Sequence, residues 1–139
     1  MSWGKKRRES GFTLIEMMVV LLITGILVVV AVPAYEKTMM KSRRSDAHAT
    51  LLQVQLEQES WRTKNTTYGA TSDVWSSAVS VDGYYDIAVS GNTSTAYTVT
   101  ATPVSGGLQA DDTDCASIVL DQDGPDIDTD AKKKCWNRK

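Results

Sequence analysis

The chain's 139 residues leave room for one domain, and its formal charge of −2 hides an uneven spread. MSWGKKRRESG sets four basic residues against Glu9, a net +3, and everything after Gly11 sets 11 basic against 16 acidic, a net −5. A basic head on an acidic body argues against general nucleic-acid binding by the body; one histidine, with no phosphate-binding glycine loop, HExxH helix or nucleophile elbow, argues against an enzyme.

From Phe12 to Val32 the run FTLIEMMVVLLITGILVVVAV has 21 residues and one charge, Glu16. As a helix it spans roughly 30 Å, about one bilayer core. The basic cluster before it favours a cytoplasmic N-terminus and an external C-terminus. A secretory signal has a shorter apolar stretch followed by a small-residue cleavage site. This run is long and leads directly into Pro33 and a helical pattern, so it reads as retained. Glu16, costly at membrane depth, needs a partner or a task.

After Pro33, AYEKTMMKSRRSDAHATLLQVQLEQESWRTKN has no Gly or Pro. Ala47, Leu51, Val54 and Trp61 fall at helical spacing, with Leu52 and Leu56 widening the stripe and Lys41, Arg43, Arg44, Glu57 and Glu59 on the other side. The membrane helix is expected to continue to about Lys64, bent near Val29 to Pro33, with Gly25 a second weak point. His48, beside Asp46, reads as a satisfied surface or core histidine.

NTTYGATSDVWSSAVSVDG reads as a long loop. YYDIAVS and AYTVTATPV alternate apolar with polar residues and are joined by GNTST, predicting an antiparallel hairpin. CASIVLDQDG supplies a third strand, and the tail PDIDTDAKKKCWNRK no further one. The fold class is therefore α+β: a long helix whose C-terminal half packs on a three- or four-stranded antiparallel sheet. Cys115 and Cys135 have one possible pairing, favoured in an oxidising compartment. Closing that loop stabilises the fold by about 3 kcal/mol in the chain-entropy model.

Gly11-Phe12-Thr13-Leu14-Ile15-Glu16, followed by the apolar run, resembles the cleavage signal of type IV pilins, and Gly25, Pro33, Ala34 and Tyr35 resemble that family's helix landmarks. The resemblance implies a cleaved leader (1–11), a transmembrane and later filament-core helix (12–36) and a periplasmic globular pilin domain (37–139). A prepilin peptidase, also a methyltransferase, would cut between Gly11 and Phe12 and methylate the new amine on Phe12. Glu16 would meet the Phe12 amine of a neighbouring subunit and set register, and Gly25 and Pro33 would ease local helix melting. RRSDAHATLLQVQLEQESWRTKNTTYG and the closing Cys115 and Cys135-Trp136 pattern are similar to PilE-type minor pilins, low-abundance subunits that help initiate or cap the filament. The implied partners are major and minor pilin subunits, the inner membrane and the pilus assembly platform, and the implied roles twitching motility, adhesion or DNA uptake. A type II secretion pseudopilin and a non-polymerising anchored periplasmic domain are the alternatives.

Two stretches keep open readings. DQDGPDIDTD offers Asp121, Asp123, Asp126 and Asp128 as Ca²⁺ ligands, yet Pro125 follows Gly124 and no glutamate stands at the twelfth position of an EF-hand loop; a solvated acidic loop without cofactor is the plainer reading. KKKCWNRK sets five basic residues around an indole, a pattern that could hold DNA by phosphate contacts and stacking. The plainer account is charge balance against the acidic loop, with Trp136 in the core.

Overall fold

The computed structural model describes residues 11–138, so the basic leader expected over 1–11 lies outside the described residues except for Gly11. The chain divides into two compact units, one ending at Lys37 and the other beginning at Thr38. Helix α1 (Leu14–Arg62, 49 residues) contributes to both.

In the first unit, Gly11 to Thr13 are non-helical. Thr13 caps α1: its Oγ1 accepts from the Glu16 amide at 3.3 Å, and its carbonyl accepts from the Met17 amide at 3.3 Å. Thr-x-x-Glu is the spelling of a capping box, and an acidic residue in the first turn suits the positive end of the helix dipole. Beyond the cap, the large apolar side chains from Phe12 to Val32 are all exposed. A face of that size needs lipid or other protein to cover it. By length and composition α1 can cross a membrane, with a mean hydropathy of 2.8 over its most apolar window. It runs through Gly25 and Pro33 without interruption.

In the second unit, β1 (Tyr85–Ser90), β2 (Thr98–Pro103), β3 (Ile118–Asp121) and β4 (Gly124–Pro125) form one sheet in chain order. All three pairings are antiparallel, with Ile87 opposite Ala101, Val99 opposite Leu120 and Asp121 opposite Gly124. Strand alternation sends Tyr85, Ile87, Val99, Ala101, Ile118 and Leu120 to one face, where all are buried. Ala47, Leu51 and Val54 of α1 close the same core and are fully buried. The expected α+β architecture is the observed one.

Four details depart from the sequence reading. The loop after α1 contains helix α2 (Thr71–Val74), and this loop covers the outer edge of β1 through one backbone and one side-chain acceptor: Ile87 N–H donates to the Ala78 carbonyl and Val89 N–H to Thr71 Oγ1, each at 2.8 Å. The tail contains helix α3 (Asp130–Cys135), capped by Thr129 Oγ1 accepting from the Lys132 amide at 3.3 Å. Leu52 and Leu56 do not widen the core stripe and are exposed, because burial continues instead through Thr50 and Gln58. Arg44, expected on the solvent side, is buried. For Arg44, Leu52 and Leu56 hydropathy gave the wrong sign because the groups that decide which helix face is buried are remote in sequence.

Candidate functional site

The first candidate site is the N-terminal segment. The Gly11–Phe12 bond lies in the three non-helical residues before α1, and Phe12 is 80% exposed. Glu16 stands one turn further on, its amide held by Thr13. A Cβ placed on Gly25 would meet nothing within 4 Å. No contact within the chain therefore requires glycine there, which leaves close approach by another molecule as a physical reason for it. The role of Thr13 was missed in the sequence, although the capping-box spacing was there to read.

The globular unit is fixed by buried polar groups reaching across the fold. Arg44 of α1 makes a bidentate pair with Asp112, Nε to Oδ2 at 2.7 Å and Nη2 to Oδ1 at 2.6 Å. The Asp112 hydrogen bond raises the Arg44 pKa above its ordinary value, against the opposing effect of burial. Gln109 Nε2 ties the same carboxylate to the Met40 carbonyl. Two residues further along α1, Asp46 accepts from Ser80 Oγ at 2.5 Å and the Asp82 amide at 3.0 Å. Gln58 completes the series by exchanging two 2.8 Å bonds with the Gly69 backbone. The Arg44, Asp46 and Met40 partners lie 34 to 69 residues away and Gly69 lies 11 from Gln58, so no local pattern announces them.

The C-terminal segment is fastened by the Cys115–Cys135 disulfide, with Cα atoms 5.6 Å apart. His48 Nε2 lies 2.7 Å from the Cys135 carbonyl, and its ring stacks on Trp136 at 4.7 Å. Burial lowers the His48 pKa, and the bond to Cys135 opposes that shift. Trp136 is itself buried, and its indole N–H donates to the Val119 carbonyl at 3.2 Å. Base stacking on Trp136, one of the two sequence readings of the tail, is disfavoured because the ring is buried and stacked on His48 and its donor is taken by Val119.

The acidic loop also resolves into specific bonds. Asp121 Oδ1 accepts from the Asp123 amide at 2.9 Å and Asp126 Oδ1 from the Asp128 amide at 3.4 Å. Asp126 pairs with Lys132 at 2.5 Å, and Asp130 with Lys133 at 3.2 Å. The Lys132 ammonium holds the Asp126 carboxyl below the usual carboxylate range. Among the described residues no three His, Cys, Asp or Glu side chains are grouped to hold a metal ion.

Lys132 and Lys133 are thus turned towards the acidic loop, but Lys134 faces elsewhere. With Arg138 and Asn137 it lines an open cleft of about 440 Å³ whose other wall is Lys41 and Arg44 of α1. Asn137 adopts a left-handed conformation (φ 52°) and the Arg138 amide turns back to the Lys133 carbonyl at 2.8 Å. That αL reversal after α3 carries Arg138 to the cleft.

Comparison with known proteins connects these features. The family model described as type IV minor pilin ComP, DNA uptake sequence receptor, matches residues 33–119. The prokaryotic N-terminal methylation motif matches residues 6–32. A fimbrial protein of Neisseria meningitidis is 35% identical over 71 residues, 46% of this chain and 42% of that protein. The type IV major pilin protein PilA of Myxococcus xanthus is 38% identical over 61 residues, 44% of this chain and 28% of that protein. Fimbrial protein EcpC of Eikenella corrodens is 48% identical over 42 residues, 30% of this chain and 28% of that protein. The chain spans less than half the length of these curated relatives.

Proposed function

The chain belongs to the type IV minor pilin family typified by ComP, and on that premise we propose that it is a filament subunit made as a membrane-anchored precursor and used in DNA uptake. One observation carries the subunit reading: an exposed apolar helix begins directly after a non-helical Gly11–Phe12 junction. Hydrolysis of that bond by a prepilin peptidase consumes one water and leaves a carboxylate on Gly11 and an amine on Phe12. The leader's +3 departs with it, while the apolar helix stays, first as membrane span and then as filament core. The matched N-terminal methylation motif supports methylation of that amine. The disulfide suits a globular unit placed outside the cytoplasm, where thiols oxidise.

Within a filament, Glu16 is the precursor's one charge in the apolar run, and an unpaired carboxylate away from water is costly. The Phe12 amine of a neighbouring subunit is the counter-charge this reading assigns to it. Desolvation offsets much of the Coulomb gain, so the pair acts mainly on register. The test is the mass of the N-terminal peptide from native membranes, combined with Glu16→Ala. A peptide starting at methylated Phe12, and an E16A variant that is cut but not incorporated into pili, is the expected outcome. An intact leader in cells whose other prepilins are processed sinks the subunit reading. Normal incorporation of E16A sinks the pairing.

DNA uptake rests on the family description and on a basic surface that the chain's net charge conceals. Loss of transformation, with pili retained, is expected in a strain lacking this chain. Unchanged transformation would remove this part of the proposal.

A further inference from the structure

We propose that the cleft between α1 and the C-terminal turn is a phosphate-contact site for the DNA backbone, using Lys41, Lys134 and Arg138 as charges and Asn137 as a neutral donor. The proposal rests on the DNA-uptake reading above and says which atoms meet the nucleic acid and what they read.

Four basic side chains line this cleft, and they divide by role. Arg44 is satisfied by Asp112 and contributes little net charge. Asp114 is a further acid acting on Arg44. Lys41, Lys134 and Arg138 are exposed and have no carboxylate within ion-pair distance among the described residues, whereas Lys132 and Lys133 do. Three uncompensated cations on two walls of one concavity make a local positive field on an otherwise acidic body. Asn137 supplies an amide donor at the same mouth.

The cleft has two walls from opposite ends of the globular sequence. They are held together by the disulfide, by the His48 bond to the Cys135 carbonyl and by the His48–Trp136 stack. The lysine and arginine stems start from braced backbone, which lowers the ordering cost of contact. No aromatic ring lines the cleft, and Trp136 beside it is already stacked. Point charges and one amide, without a stacking platform or an element shaped for a groove, bind phosphates and do not read bases. The site therefore contributes affinity and salt dependence, while any sequence preference resides elsewhere on the chain.

The experiment measures binding of the full-length chain in detergent to fluorescent duplex DNA between 50 and 200 mM salt. Wild type is compared with Lys41→Ala/Lys134→Ala/Arg138→Ala, on two DNA sequences. Disulfide content and near-ultraviolet dichroism confirm that the variant is folded. Three lost contacts are expected to flatten the slope of log K against log salt by about 2.7, so that about fortyfold of the wild type's affinity change over that range disappears. The loss should be equal on both sequences, and Asn137→Ala should weaken binding without altering the slope. A variant that keeps the wild-type slope overturns the cleft assignment while leaving the DNA-uptake reading intact. A loss confined to one sequence overturns the claim that the site reads only phosphate. If wild type binds no DNA, the uptake reading and this site fall together. Binding to vesicles of anionic phospholipid in that case, lost in the triple variant, would reassign the cleft to lipid headgroups.

Discussion

Arg44 is the residue whose behaviour is furthest from its hydropathy. It sits one turn before Ala47, the first fully buried apolar residue of α1, and its bidentate pair with Asp112 spans 68 residues of sequence. Removing one partner leaves the other as a buried unpaired charge. Asp112→Ala is expected to destabilise the globular unit by about 3–5 kcal/mol in urea unfolding of the detergent-solubilised chain. Arg44→Met/Asp112→Leu should cost less than that single change, because no charge is stranded. A double variant worse than Asp112→Ala would contradict this account. His48 gives a pH counterpart. Burial lowers its folded pKa, so its contribution to stability is present above the unfolded value of about 6.5 and is lost as pH falls below it. Burial also pushes the Tyr85 and Tyr97 phenols up to about 12. Their contribution is present below the unfolded value of about 10 and is lost as pH rises from there towards 12. A melting temperature that falls at both ends, with the acid limb flattened in His48→Gln, is the expected profile.

Among the elements, α1 was the most legible. A 21-residue apolar run followed by 47, 51 and 54 at helical spacing leaves little choice of structure, and the helix ends at Arg62, close to the expected Lys64. Its start is held by Thr13 and Glu16, a cap whose spelling was present in the sequence but passed over. Thr13→Val keeps the shape and removes the acceptor. It should cost about 1 kcal/mol locally, seen as faster amide exchange at Glu16 in micelles, and Thr13→Asn should restore protection. Equal exchange in all three would show that the cap is not holding the first turn. The hairpin was legible because apolar and polar residues alternate cleanly in β1 and β2. Helices α2 and α3 were not. With four and six residues they are too short for a period to declare itself, and packing and capping hold them.

For the molecule as a whole, the disulfide decides what becomes of the tail. It joins Cys115, at the end of a single 3-10 turn (Thr113–Cys115) before β3, to the end of α3, closing a separation of 20 residues. Cys115→Ala/Cys135→Ala is expected to lose about 3 kcal/mol of stability in the chain-entropy model. Because His48 and Trp136 still dock the segment, it should lower the melting temperature more than it alters the room-temperature near-ultraviolet spectrum. An unchanged melting temperature would mean that the stack and core contacts alone hold the tail.

The sequence by itself determined the membrane-competent helix, the antiparallel hairpin and the single cysteine pairing. Each follows from composition or from periods of a few residues, where local sterics and hydrophobicity act without help. Only the tertiary structure decided that Arg44 is buried, that Leu52 and Leu56 are not, that Trp136 belongs to the core, and that Lys41 meets Lys134 and Arg138 across one cleft. Those outcomes depend on which distant groups become neighbours, and the free energy of a charge or a ring is set by its neighbours, not by its place in the chain.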